Sequence, residues 1–84
     1  MPNVKVVFFA SLKERVGHGE CNTEVELPLS ISELKQHLAK ELDNGQVLLE
    51  NGVQSSIDFE FARDMDIVPN SVKEVAFFPP VTGG

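Results

Sequence analysis

Residues 4–10 read Val-Lys-Val-Val-Phe-Phe-Ala, an almost continuous apolar run rich in β-branched and aromatic residues. Such a run is typical of a strand that is covered on both faces of a sheet. Residues 73–78, near the other end of the chain, end in a second apolar run, Val75-Ala76-Phe77-Phe78. Two apolar strands at opposite ends of the chain predict a sheet whose centre is formed by the first and the last strand.

Two further segments have the alternating pattern of half-buried strands. Residues 22–27 alternate apolar and polar side chains, and their acidic outer face and the following Pro28 are typical of an edge strand. Residues 53–61 alternate in the same way, which predicts one strand with Phe59 and Phe61 on its apolar side.

One helix is well specified by local signals. Ser30 and Glu33 have the spacing of a capping box, and apolar residues then recur at helical intervals within 31–42. Asn44-Gly45 is read as the stop signal. Residues 11–16 predict a shorter helical turn before the second strand.

The predicted order is strand, strand, helix, strand, strand. A right-handed crossover would lay the last strand parallel to the first, while the first two strands pair antiparallel. This is an α+β fold of the β-grasp (ubiquitin-like) type, a mixed sheet with one main helix across one face. We expect residues 1–78 to form the β-grasp domain and residues 79–84 an extended, flexible tail.

Composition limits the classes of function. The chain of 84 residues carries 13 acidic and 7 basic side chains, a net charge of −6 that disfavours nucleic acid and anionic membranes as partners. Its single cysteine excludes an internal disulfide. No apolar run approaches the roughly 20 residues of a membrane span, and no signal peptide is recognisable, so we expect a cytoplasmic protein.

The side chains offer little chemistry of their own. His18 and His37 lie without other ligands at metal-binding spacing and are expected to be solvated, so no metal site is predicted. Cys21 has acidic neighbours that disfavour its thiolate, which indicates a structural role. We find no catalytic triad, phosphate-binding loop or paired-carboxylate cleft in the sequence.

The end of the chain is the chemically distinctive part. Gly83 and Gly84 follow Pro79-Pro80-Val81-Thr82 directly after the last strand. The prolines end the strand and stiffen the spacer, while glycine backbone passes through channels too narrow for other residues. This pattern predicts a tail that inserts into a partner and presents the α-carboxylate of Gly84.

Adjacent phenylalanines on the two central strands point to opposite faces of the sheet. They are Phe8 and Phe9 on the first strand and Phe77 and Phe78 on the last. One helix covers only one face, so the other face either presents an aromatic patch to a partner or is covered by the segment 63–71. Phe8 and Phe78 are the residues that we expect at such an interface.

Residues 74–84, with the sequence Glu-Val-Ala-Phe-Phe-Pro-Pro-Val-Thr-Gly-Gly, resemble the terminus of the small subunit of molybdopterin synthase, the MoaD family. The opening strand with Phe8-Phe9-Ala10, the segment that ends at Gly17 and the capped helix are also similar. The chain departs from the family at Asp58, where members often have Asn, and at residues 70–73, where members often have an Asp-Gly-Asp turn.

The resemblance implies a sulfur carrier. A ubiquitin-activating-type adenylyltransferase would adenylate the carboxylate of Gly84, with AMP attached transiently and no other cofactor bound, and sulfur would then replace AMP to leave a thiocarboxylate. Within a heterotetramer of two small and two large subunits, the tail (Pro79, Pro80, Val81, Thr82 and Gly83) would enter the large subunit. There the sulfur would attack the cyclic pyranopterin precursor and build the molybdopterin dithiolene.

Three other interpretations remain open from the sequence. The thiamine-pathway sulfur carrier is also a β-grasp protein that ends in Gly-Gly, although it usually lacks the Phe-Phe-Pro-Pro run. A ubiquitin-like modifier would join Gly84 to a target lysine through an isopeptide bond. An interaction domain would leave the tail chemically inert.

Overall fold

A computed structural model describes residues 2–80 of the chain. The strands are β1 (Asn3–Phe8), β2 (Glu20–Glu24), β3 (Leu29–Ser30), β4 (Gln54–Ile57), β5 (Glu60–Ala62), β6 (Ile67–Val68) and β7 (Glu74–Phe78). The helices are α1 (Ala10–Val16) and α2 (Ile31–Glu41), and a short 3₁₀ helix spans Gly45–Leu49.

The main sheet has the predicted centre. Its five strands run in the order β2-β1-β7-β4-β5, with β1 parallel to β7 and antiparallel to β2. β2 lies at one edge, as its acidic outer face indicated. The β-grasp prediction is confirmed by this mixed sheet with its helices on one face.

Both helices begin or end where local chemistry dictates. At the start of α2, the backbone N–H of Glu33 donates to the Ser30 hydroxyl, and the Glu33 carboxylate accepts from the Ser30 backbone N–H. These two bonds satisfy donors that a helix start otherwise leaves free. α1 ends at Gly17 in a left-handed conformation. The capping box and the short first helix were both predicted correctly.

The core lies between the sheet and the helices. Apolar side chains from α2, from the 3₁₀ helix and from the inward face of the central strands are almost fully buried there; among them are Val6, Phe8, Leu34, Leu38, Leu48, Val75 and Phe77. Within residues 2–80, neither helix has the length and apolar character needed to cross a bilayer.

The single strand predicted over residues 53–61 is wrong. The segment forms the hairpin β4–β5, which turns at Asp58 and Phe59. Both turn residues have positive φ, of 49° and 72°, so the chain reverses within two residues. Phe59 and Phe61 consequently leave the apolar side to which the alternation assigned them.

The end of the main helix also differs from the prediction. α2 stops at Glu41 because Leu42 takes an extended conformation, and Gly45 opens the 3₁₀ helix instead of ending α2. A Cβ at Gly45 would collide with the carbonyl oxygen of Leu38. The glycine therefore permits close backbone packing between the 3₁₀ helix and α2.

Candidate functional site

The root of the tail continues the line of β7. The ladder between β4 and β7 reaches its last pair at Gln54 and Phe78. Pro79 and Pro80 follow, and neither has a backbone N–H that could extend the ladder. Pro79 is half-buried and Pro80 is exposed. The proline spacer therefore starts where the hydrogen bonding of the sheet stops.

Val81, Thr82, Gly83 and Gly84 lie outside the described residues. Their insertion into a partner stays a prediction. The division of the chain into a 1–78 domain and a 79–84 tail also stays a prediction.

The sheet face opposite the helices carries an aromatic patch, formed by Phe9, Phe59, Phe61 and Phe78. The rings of Phe9 and Phe78 stack with centroids 4.9 Å apart, and the ring of Phe61 is tilted against Phe78 at 6.1 Å. Phe59 and Phe61 are 83% and 81% exposed. The four rings border a groove of about 140 Å³ that the buried Ala76 also lines.

The segment 63–71 leaves this patch open. Its backbone runs past the start of α2, where the carbonyl groups of Asp64 and Asp66 accept from the N–H groups of Ser32 and Ile31 at 2.8 and 2.9 Å. β6, within the segment, pairs with β3 on that side of the molecule. Within residues 2–80, the sheet therefore presents an exposed aromatic face. Of the two alternatives that the sequence allowed, coverage of this face by the segment 63–71 is not the one observed.

Phe8 does not belong to the exposed face, so its assignment as an interface residue is wrong. It is only 2% exposed and stacks on Phe77 inside the core, with ring centroids 6.1 Å apart. Successive residues of an extended strand point to opposite faces, and Phe9 is extended directly after β1, so it lies on the same face as Lys5. Lys5 is the sequence signal that could have identified the outer face.

The β4–β5 turn positions the outer part of the patch. One carboxylate oxygen of Asp58 accepts hydrogen bonds from the backbone N–H groups of Lys73 and Glu74, at 2.8 and 2.9 Å. The Asp58 N–H in turn donates to the Glu74 carbonyl at 2.8 Å. These three bonds tie the turn to the start of β7 and hold Phe59 in a left-handed conformation that a large residue rarely adopts. Sequence reasoning missed Phe59 and Phe61 because the turn has no glycine to mark it.

Charged residues border the patch on the β1 side. The Lys5 ammonium lies 3.8 Å from the Glu20 carboxylate and 3.7 Å from the Glu74 carboxylate. Both pairs are at the surface, where they stabilise the fold little. They give the apolar groove a polar rim.

The surroundings of the remaining reactive side chains, Cys21 and His37, indicate structural roles. Burial raises the pKa of the Cys21 thiol, and the nearby Glu41 carboxylate raises it further, so the thiolate is disfavoured. His37 is not simply solvated, because its Nε2 lies 2.9 Å from the Thr23 hydroxyl and 2.8 Å from Glu41. Within residues 2–80, no three His, Cys, Asp or Glu side chains are grouped closely enough to hold a metal ion.

Comparison with known proteins places the chain in a family. The ThiS family model matches residues 6–84. The molybdopterin synthase sulfur carrier subunit of Escherichia coli is 36% identical over 81 residues, which cover 96% of this chain and 99% of that protein. The chain belongs to the MoaD family. The subunit of the same name from Haemophilus influenzae is 30% identical to this MoaD-family chain, again over 96% of its length and 99% of that protein.

Solved structures support the fold of this MoaD-family chain. SAMP1 from Haloferax volcanii superposes with a TM-score of 0.75 at 22% identity, covering 99% of this chain and 100% of that one. The HVO 2177 protein of the same organism gives a TM-score of 0.77 at 23% identity, covering 98% and 86%. At this level of identity the likeness concerns the β-grasp fold alone.

Proposed function

We propose that this chain is the sulfur carrier subunit of a molybdopterin synthase. The observation that carries the proposal is the position of the aromatic patch at the root of the tail. β7 ends in Phe78, a member of the patch, and the next two residues are Pro79 and Pro80. A partner that buries the patch receives the tail at a defined place. The full-length similarity to two sulfur carrier subunits supports the same assignment.

The chemistry starts at the carboxylate of Gly84, which is a poor electrophile. A ubiquitin-activating-type adenylyltransferase activates it when a carboxylate oxygen attacks the α-phosphorus of ATP and pyrophosphate leaves. A sulfur nucleophile at the oxidation level of sulfide (HS⁻ or its equivalent) then attacks the carbonyl carbon, the bond to the AMP oxygen breaks and AMP leaves, so the chain carries a thiocarboxylate. Apart from this transient AMP, the chain uses no cofactor.

Sulfur delivery takes place in the large subunit of the synthase. The thiocarboxylate sulfur attacks a carbon of the cyclic pyranopterin precursor and displaces an oxygen substituent from that carbon. Water then hydrolyses the resulting thioester, which leaves the sulfur on the pterin and returns Gly84 to a carboxylate. Two such transfers build one dithiolene. The chain thus acts as the sulfur-donating subunit of a sulfurtransferase, in a heterotetramer of two small and two large subunits in the cytoplasm.

The aromatic patch is the docking surface for the large subunit. Phe59 and Phe61 expose most of their ring area, and large aromatic side chains dominate the energetics of protein interfaces. The chain's net charge of −6 favours a partner surface with basic residues around an apolar centre. The polar rim formed by Lys5, Glu20 and Glu74 fits the edge of such an interface.

The first experiment measures the intact mass after incubation with the adenylyltransferase, ATP and a sulfur source. We expect the exchange of one oxygen for one sulfur at the C-terminus. Deletion of Gly84 should abolish the exchange while circular dichroism and thermal stability remain as in the wild type. An unchanged mass, with a known carrier converted in parallel, would refute the proposal.

A second experiment identifies the pathway. The thiocarboxylated chain is mixed with the large subunit and the cyclic pyranopterin precursor, and molybdopterin is assayed. We expect one molecule of molybdopterin for every two thiocarboxylates consumed, because two sulfur transfers build one dithiolene. Sulfur transfer only into thiazole synthesis would indicate the thiamine pathway, and isopeptide conjugates of the chain in cells would indicate a protein modifier.

A further inference from the structure

Gly52 lies directly beneath the root of the tail. It belongs to the turn between the 3₁₀ helix and β4, and its φ is +89°. A Cβ added at Gly52 would lie 2.9 Å from Cβ and 3.2 Å from Cγ of Pro80. Contacts under 3.0 Å force one of the two groups to move. The Pro80 ring therefore packs directly against the backbone of Gly52, in space that a side chain at position 52 would occupy.

The register of the sheet explains why these residues meet. The β4–β7 ladder is antiparallel, and its last pair joins Gln54 to Phe78. One step further along this register places Val53 beside Pro79, and the next step places Gly52 beside Pro80. Proline cannot donate a backbone hydrogen bond, so the ladder does not continue. Beyond Phe78, packing of Pro80 against the turn at Gly52, instead of ladder hydrogen bonds, determines the path of the chain.

The turn itself is anchored to the main helix. Lys35 of α2 is buried, and its ammonium donates to the Val53 carbonyl at 3.3 Å and pairs with the Asp64 carboxylate at 2.6 Å. Displacing the Val53 carbonyl would leave one N–H of a buried ammonium without its acceptor, which costs free energy. Lys35 therefore holds Val53, and with it Gly52, in a fixed position relative to α2.

We propose that Gly52 is a positioning residue for sulfur delivery: the turn supports Pro80 and so fixes the point from which the last four residues leave the domain. The inference rests on the proposed function. Four residues follow Pro80 and together reach at most about 14 Å when extended. A displaced Pro80 moves the point from which residues 81–84 start, and with it the positions that Gly84 can reach. Small misplacements of reacting groups strongly lower the rate constant of a reaction.

The chain offers a matched control for this test. Gly17 has a φ of +90°, almost the same as Gly52, but nothing lies within 4 Å of a Cβ placed there. Gly17→Ala and Gly52→Ala therefore place an alanine at nearly the same positive φ, and only the second displaces Pro80. Thermal melting establishes a temperature at which both variants are fully folded.

The decisive measurement is single-turnover sulfur transfer from each thiocarboxylated variant within a preformed complex with the large subunit. We expect Gly52→Ala to lower the rate constant by about 10- to 100-fold, while Gly17→Ala stays close to the wild-type rate. Each variant is saturated with the large subunit, so that a difference in Kd does not enter the measured rate constant. Equal rate constants for the two variants would overturn the inference.

A double-substitution cycle tests whether Gly52 acts through Pro80. Pro80→Gly removes the ring atoms that an alanine at position 52 would meet. Adding Gly52→Ala to the Pro80→Gly variant should then cost no further rate, whereas independent, multiplying losses would overturn the inference.

A spectroscopic readout separates this inference from the proposed function. A nuclear Overhauser contact between the Gly52 Hα protons and the Pro80 ring is expected in the wild-type chain, and its absence would overturn the inference by itself. If the contact is present but the wild-type chain accepts no sulfur, the proposed function fails, and with it the assigned purpose of the contact.

Discussion

Substitution of Phe61 by alanine should weaken binding of the large subunit without unfolding the chain. An aromatic side chain carries about 150–250 Å² of surface, and Phe61 is 81% exposed. An interface that covers the ring therefore buries roughly 100 Å² more than it would with alanine, allowing for the methyl group that remains. At about 25 cal/mol per Å² this area corresponds to about 2.5 kcal/mol, or roughly a 70-fold increase in Kd.

Isothermal titration calorimetry with the purified large subunit measures this change. Met65→Ala is the matched control, because Met65 is 80% exposed and apolar but lies outside the aromatic patch. The folding stability of both variants should stay within about 0.5 kcal/mol of the wild type, as for most surface substitutions. Phe8→Ala should instead lose about 3–5 kcal/mol of stability, because Phe8 fills the core.

The comparison between the two exposed residues can refute the reasoning. If Phe61→Ala and Met65→Ala change the Kd by the same factor, the aromatic patch is not the docking surface. If Phe61→Ala lowers the melting temperature as Phe8→Ala does, the ring is part of the folded core and the binding result carries no information on docking.

Further substitutions test local features. Ser30→Ala removes the helix cap and should lower the free energy of unfolding by about 1 kcal/mol in urea titrations, whereas Ser30→Thr should retain most of it. Hydrogen bonding from the Ser30 backbone N–H, and then from its hydroxyl, lowers the pKa of Glu33 below its ordinary 4.5. The stabilisation of the fold by the ionised Glu33 carboxylate is therefore complete above pH 4.5 and is lost as the pH falls through the lowered pKa. The urea midpoint of the wild type should consequently drop more in acid than that of Glu33→Gln. Asp58→Ala removes the acceptor of two backbone N–H groups at the start of β7, one exposed and one partly buried, and should cost about 0.5–1.5 kcal/mol, whereas Asp58→Asn retains an acceptor and should unfold close to the wild type. The raised pKa of Cys21 predicts slow alkylation at neutral pH that accelerates in alkali, and Glu41→Gln should speed it at neutral pH, as followed by intact mass.

The features that could be predicted from the sequence are those that local interactions specify. The capping box of α2 needs only Ser30 and Glu33, which lie within one helical turn. The central pairing of β1 with β7 follows from two apolar runs and the handedness of crossovers. In both cases, the information lies in short segments and in general rules of chain topology.

The features that could not be predicted depend on contacts between distant segments. The β4–β5 turn lacks glycine, and the hydrogen bonds that hold it come from residues 73 and 74, far along the chain. The apolar–polar alternation continues unbroken through a two-residue turn, so this alternation alone could not reveal that the chain reverses direction. Likewise, Asn51-Gly52 marks a turn, but its contact with Pro80 follows only from the register of β4 against β7.

The arrangement of β7 between two partners also determines how the domain bears mechanical load. β7 is hydrogen-bonded to β1 on one side and to β4 on the other. A force applied through the C-terminal residues acts along the strand, so the bonds of both ladders share it in shear. A strand at the edge of a sheet, pulled outward, would instead release its bonds one at a time. Under the proposed function, a pull on the C-terminal residues would load both ladders of β7 at once, and the domain would resist unravelling.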